Sequence, residues 1–200
     1  MYTIDGNYEN LIEIKKSKFI SYAYNVENTA EIDKILGMLN ERHRDATHIC
    51  YAFVLSCPNL EKACDNGEPD GTAGKPILDV IKKNNLSDVL IAVVRYFGGI
   101  KLGAGGLVRA YSSSAGDVVK QANIGTVKTM TEYNLSCAIK YAKQLLEFLR
   151  QNKIDIKKQS YAERFNVSVS MEDSEIFESF PFELIIDEVG KVKVFYDKNI

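Results

Sequence analysis

No stretch of this chain approaches the roughly 18 consecutive apolar residues that a membrane-spanning helix requires; the longest, VLIAVV at residues 89–94, reads as a buried strand. The opening MYTIDGNYEN has neither the basic region nor the apolar core of a secretory signal, so a cytoplasmic protein with no membrane partner is expected. An excess of positive charge is missing too. Residues 1–125 carry 14 Lys and Arg against 15 Asp and Glu, and residues 126–200 carry 11 against 12. A protein that coats a long stretch of nucleic acid has a strong cationic excess, so any phosphate contact here must come from a local patch. The four cysteines, Cys50, Cys57, Cys64 and Cys137, form no C-x-x-C pair, and steps of seven residues match no zinc half-site. They are expected to be free thiols, with no metal bound.

Nucleotide motifs are absent as well. Gly98 to Gly103 has the spacing of a phosphate loop but is followed by Ala104 and Gly105 where Lys and Ser or Thr are needed, and a dinucleotide fingerprint begun at Gly103 fails at Val108. ATP and NAD are disfavoured, and no cofactor is expected. There is no G-x-S-x-G elbow, and Ser112, Ser113 and Ser114 fall on a helical pattern without an obvious partner.

What is present is an ordinary globular composition, 46% hydrophobic and 26% charged, over 200 residues, a length suited to two small cores. KFISYAYNV is rich in strand-forming residues. Asn28 with Glu31 three residues on has the spacing of a capping box, and Ile32, Ile35, Leu36 and Leu39 follow as one apolar helix face. HICYAFVLS reads as a strand, and CPNLEKACDNGEPDGTAGKP as a long loop. A helix resumes near Lys75–Asn84, with Pro76 in its first turn, before VLIAVVRYF forms a buried strand.

After about residue 126 the pattern changes. Tyr133, Leu135, Cys137 and Ile139 alternate as on a strand; Tyr141, Leu145, Leu146 and Leu149 make a helix stripe; Phe165, Val167, Val169 and Met171 alternate again. KIDIKKQSY pairs with that last strand through a turn near Ala162 and Glu163, and SEIFESF and KVKVFY supply a short helix and a final strand. The order β-α-β-β-α-β predicts a ferredoxin-like sandwich. The expected class is α+β with two domains, residues 1–126 and 127–200.

RYFGGIKLGAGGLVRAYSSSAG, Arg95 to Gly116, concentrates the chemistry: six glycines, three cations and no acid. Gly98 and Gly99 suit a turn after the strand, and Gly103, Gly105 and Gly106 precede a helical pattern whose free N–H groups and positive dipole end attract anions. Arg95, Lys101 and Arg109, with Lys75 as a helper, are the candidate phosphate ligands, and Tyr96, Phe97 and Tyr111 are candidate stacking surfaces for bases. The plain alternative is that the glycines only let a helix pack closely on a sheet. A second candidate is the acidic loop with Asp65, Glu68 and Asp70, near Thr72 and His48, where carboxylates and an imidazole suit acid–base work or a divalent ion. Its residues lack the D-x-D-x-D-G calcium spacing, and charges in such loops are usually solvated.

Two blocks, DNGEPDGTAGKPIL (Asp65–Leu78) and VVRYFGGIKLGAGGLVRAY (Val93–Tyr111), preceded by ATHICYAFV, resemble the paired signatures of the IMPACT/YigZ family. The matching positions are Asp65, Gly67, Glu68, Pro69, Gly71, Thr72, Ala73, Gly74 and Pro76, then Arg95, Tyr96, Phe97, Gly98, Gly99, Leu102 and Gly103. The resemblance implies a first domain similar to domain IV of elongation factor G and a second similar to that factor's ferredoxin-like last domain. It implies a translation-associated regulator contacting RNA, the ribosome or a translation factor. Eukaryotic members act through the activator of the uncharged-tRNA-sensing kinase and carry an RWD domain that these 200 residues lack, so that partner is not carried over. Two other readings stay open: a small phosphate-ester or metal-dependent hydrolase using Asp65, Glu68 and His48, and a protein-interaction module recognised through the acidic loop.

Overall fold

A computed structural model describes residues 1–198. The chain divides into two compact units, one comprising Met1–Thr126 with the described residues from Tyr196 on, the other Val127–Phe195. Among the described residues no helix is long and apolar enough to cross a membrane.

The first unit is built on a five-stranded antiparallel sheet in the order β2 (Asn7–Ile14), β3 (Ser17–Asn25), β6 (Val89–Tyr96), β4 (His48–Leu55), β5 (Leu60–Cys64). The short β1 (Thr3–Ile4) pairs instead with Gly125 and Ile124 at the start of β7 (Ile124–Cys137). Helices cover both faces of the sheet, which is why β6 is apolar at six consecutive positions, Val89 to Val94, rather than at alternate ones. Its Val89, Ile91 and Val93 belong to the core under α2 (Gly74–Lys83) and α3 (Ala104–Gln121), with Ile77, Ile81, Leu107, Tyr111 and Val118. Its Leu90, Ala92 and Val94 belong to the opposite core, under α1 (Thr29–Arg42), with Ile32, Leu39, Tyr22 and Phe53. The cap expected at α1 is present: the Glu31 N–H donates to Asn28 Oδ1 at 3.0 Å, and the Glu31 carboxylate reaches back to the N–H of Glu27, one residue before the cap.

Two strands depart from the sequence reading. The expected loop at Cys57–Pro76 contains the exposed edge strand β5, and Asn7–Ile14 pairs in full register with β3 through a tight turn at Lys15 and Lys16.

In the second unit β7, β9 (Phe165–Met171) and β8 (Ile156–Tyr161) pair in antiparallel succession, and β10 (Ile185–Asp197) adds to the free side of β7. With α4 (Ala142–Gln151) between β7 and β8, the strand order β8-β9-β7-β10 is that of a split β-α-β sheet. The second helix of the pattern is reduced to a 3-10 turn, Glu175–Ser179. Leu135, Cys137, Leu145, Leu149, Phe165, Val167, Val169 and Phe177 form its core.

Candidate nucleic-acid interface

One end of the first unit's sheet gathers both signature blocks. β6 ends there at Tyr96, β3 begins there opposite it (Lys18 pairs with Tyr96), and β4 begins there with His48 opposite Arg95. β5 also ends there, and the loop from Asp65 leads back over that end into α2.

Strand alternation fixes where Arg95 goes. It continues the row Val89, Ile91, Val93 and therefore points into the α2/α3 layer, where it is 5% exposed. Arg95 Nη1 donates to Glu68 Oε1 at 2.5 Å, the Tyr111 hydroxyl donates to the same oxygen at 2.9 Å, and the Cys50 thiol lies 3.4 Å from that hydroxyl. Burial raises the Tyr111 pKa and pushes the Cys50 thiol up to about 12, so both stay protonated. This buried cluster ties the two signature blocks together through the core. It also removes Arg95 from the expected phosphate ligands, since its charge is spent on Glu68, and Tyr111, with no exposed surface, from the expected stacking platforms.

The acidic loop is equally committed. Asp65 accepts N–H bonds from Gly71, Ala73 and Gly74 at 2.8 to 2.9 Å and so closes the N-terminus of α2. Burial pushes its carboxyl up, but the three donors outweigh that and hold its pKa below the ordinary carboxylate value. Thr72 donates to the Pro69 carbonyl at 2.6 Å, and His48 Nδ1 sits 3.0 Å from the Asn66 carbonyl, as its N–H donor. Asp70 remains exposed. Asp65 and Glu68, the two carboxylates of the hydrolase reading, are thus structural ligands of the fold, which weighs against that reading.

The glycines divide by role. A side chain at Gly98 would collide with the Lys16–Ser17 backbone, and the Gly98 N–H donates to Ser17 Oγ at 3.1 Å, so this glycine clamps the loop onto the β2–β3 turn. Gly103 holds φ +71° just before α3, a left-handed conformation suited to glycine. Gly99 is exposed in the loop between them, and Gly105 and Gly106 lie in the first turn of α3. No side chain caps that turn, whereas Asp65 closes the start of α2; neither first turn carries an acid. Tyr96, on the α1 side of the sheet, is held by His43 Nδ1 at 2.8 Å from its hydroxyl.

Three of the exposed side chains at the helix starts are cationic. Lys75 at the start of α2, Lys101 just before α3 and Arg109 in the second turn of α3 make no ion pair among the described residues. Sequence reasoning missed Lys15, Lys16 and Lys18, which the unrecognised hairpin brings against the glycine loop. The signal was the period-2 burial pattern of NYENLIEI, disguised because its exposed row includes Leu11 and its half-buried row Asn10.

Comparison with known proteins agrees with this architecture. Residues 15–119 match the Impact N-terminal domain family. The chain is 35% identical over 175 residues to the IMPACT family member YvyE of Bacillus subtilis, covering 87% of this chain and 81% of that one. It is 37% identical over 128 residues to the IMPACT family member YigZ of Escherichia coli, covering 62% of this chain and 63% of that one. A solved crystal structure of a hypothetical protein, 28% identical, superimposes with a TM-score of 0.63 over 92% of this chain and 95% of that one. The chain belongs to the IMPACT family.

Proposed function

We propose that this protein is a translation-associated regulator that binds RNA or the ribosome through the basic, glycine-rich end of its first unit. The observation that carries the reading is the convergence there of exposed cations, unpaired among the described residues, from four elements: the β2–β3 turn, the loop before α3, α3 itself and the start of α2. With the uncapped first turn of α3 beside them, they form a local positive patch on a chain of net charge −2. The translation link rests on family membership. Lys75, Lys101 and Arg109 are the phosphate ligands of this reading, Gly99, Gly105 and Gly106 let a ligand approach the backbone, and Arg95, Gly98 and Gly103 hold the surface in shape.

Co-sedimentation with ribosomes at low and moderate salt tests it. Wild-type protein is expected to pellet with ribosomes at low salt and to be released as salt rises, and the K75Q/K101Q/R109Q variant to stay in the supernatant. Equal pelleting of the two proteins would remove the basic end from the account.

A further inference from the structure

Two residues at the basic end stand out by conformation. Lys15 and Lys16 form the two-residue connection between Ile14 and Ser17, with φ +48° and +64°. A two-residue hairpin turn with both positions left-handed is the type I′ turn, which favours Asn-Gly or Asp-Gly because a side chain is disfavoured there. Here it presents two exposed cations instead, and the turn is clamped from below by Gly98. A disfavoured residue pair held in place by its surroundings is the pattern expected of a functional position.

The aromatics argue about what such a tip touches. Single-stranded nucleic acid is held by bases stacked on exposed rings as well as by its backbone. At this end Tyr111 is fully buried, and Tyr96 is half-buried with its hydroxyl bonded to His43. Phe97 is 46% exposed, but the Arg95 guanidinium lies 5.4 Å from its ring centroid, on the ring face. The cations, by contrast, spread over the β2–β3 turn, the loop before α3 and two packed helices, whose axes in such packing lie about 8–10 Å apart, a surface broad enough for several phosphates.

We infer that the Lys15–Lys16 hairpin tip is a phosphate-gripping element and that, together with Lys101 and Arg109, it engages the backbone of double-helical RNA rather than unstacked single-stranded bases. This rests on the RNA-binding reading above. Recognition is then of shape and charge, without base sequence.

The test is equilibrium binding of the full chain to a 20-base-pair RNA duplex of arbitrary sequence and, separately, to one of its strands, across a salt series. The proteins are wild type, K15N/K16G and F97A. Wild type should prefer the duplex at least tenfold. K15N/K16G should melt at a higher temperature than wild type, because its turn suits the backbone, yet bind the duplex more weakly. Because this variant lacks two of the phosphate-binding cations, its log–log salt slope should shrink by about 1.8 and its affinity at 0.1 M salt should fall roughly 60-fold. F97A should change duplex affinity less than twofold. Equal or tighter binding of the single strand, or undiminished duplex binding by K15N/K16G, would overturn the inference while leaving RNA binding intact. Failure of wild type to bind either RNA, or ribosomes, at low salt would overturn both.

Discussion

Replacing Glu68 by Ala separates a structural from a catalytic role for the acidic loop. Both side chains of the Glu68–Arg95 pair are almost wholly buried, 3% and 6% exposed, and the same carboxylate oxygen accepts from Tyr111. Truncating one partner of a buried ion pair strands the other charge in a medium that solvates it poorly, at a cost of about 3–5 kcal/mol. Arg95 already has one buried nitrogen, Nε, without a partner, so it has little alternative hydrogen bonding to fall back on. For a denaturant dependence of about 2 kcal/mol per M of urea, the midpoint of the first unit should fall by about 1.5–2.5 M. The chain has no tryptophan, so the assay is far-ultraviolet circular dichroism with tyrosine fluorescence as a second probe. The double replacement E68L/R95M removes both charges together and should cost clearly less than the sum of the single changes, with a coupling of about 2 kcal/mol or more. A Glu68→Ala variant within about 0.5 kcal/mol of wild type, the range of ordinary surface substitutions, would refute the view that this pair holds the signature blocks together.

Further consequences can be measured on the same protein. Gly98→Ala has no room against the Lys16–Ser17 backbone and should destabilise by about 1–3 kcal/mol, read by thermal melting, while weakening RNA binding through displacement of the lysine turn. Alkylation of the native protein near pH 8 should modify exposed Cys57 first and spare buried Cys50, whose thiol is pushed up to about 12; rapid labelling of Cys50 by mass spectrometry would contradict the cluster. His43 is buried between the Tyr22 and Tyr96 hydroxyls, and desolvation, reinforced by Arg42, lowers its pKa below 6.5. Below that value the unfolded chain takes up a proton that the folded protein resists, so stability should decline as pH falls from 6.5 towards the folded pKa, and an imidazole titration by NMR should show the lowered midpoint. Asp65 has a folded pKa below 3.8, so its stabilisation is present above that value and is lost as pH falls through the folded pKa; Asp65→Ala should lose about 0.5–2 kcal/mol at neutral pH.

Where several local signals agreed, the fold was legible in the sequence. The unbroken run VLIAVV declared a strand covered on both faces, Asn28 and Glu31 declared the start of α1, and the alternation after residue 126 declared the second unit's β-α-β-β order. β5 was hidden because it is short, wholly on the sheet's edge and flanked by turn-forming residues that read as loop. The site was harder to read for a different reason. Arg95 looks like a surface cation in a glycine-rich stretch, yet the alternation that marks β6 also assigns it to the buried row with Val93. Its partner Glu68 is 27 residues away in a loop, a separation that no local pattern encodes. The lysines of the β2–β3 turn join the glycine loop only through sheet pairing, so their part in the patch emerges in three dimensions.

The most direct measurement is a lysine-protection footprint: acetylation of the full chain, free and bound to ribosomes at low salt, quantified residue by residue by mass spectrometry. The account predicts protection at Lys15, Lys16, Lys75 and Lys101, with Lys157 and Lys158 on the exposed strand β8 of the second unit reacting equally in both states. Protection of Lys157 and Lys158 with the first unit's lysines unchanged would contradict it and move the contact to the second unit.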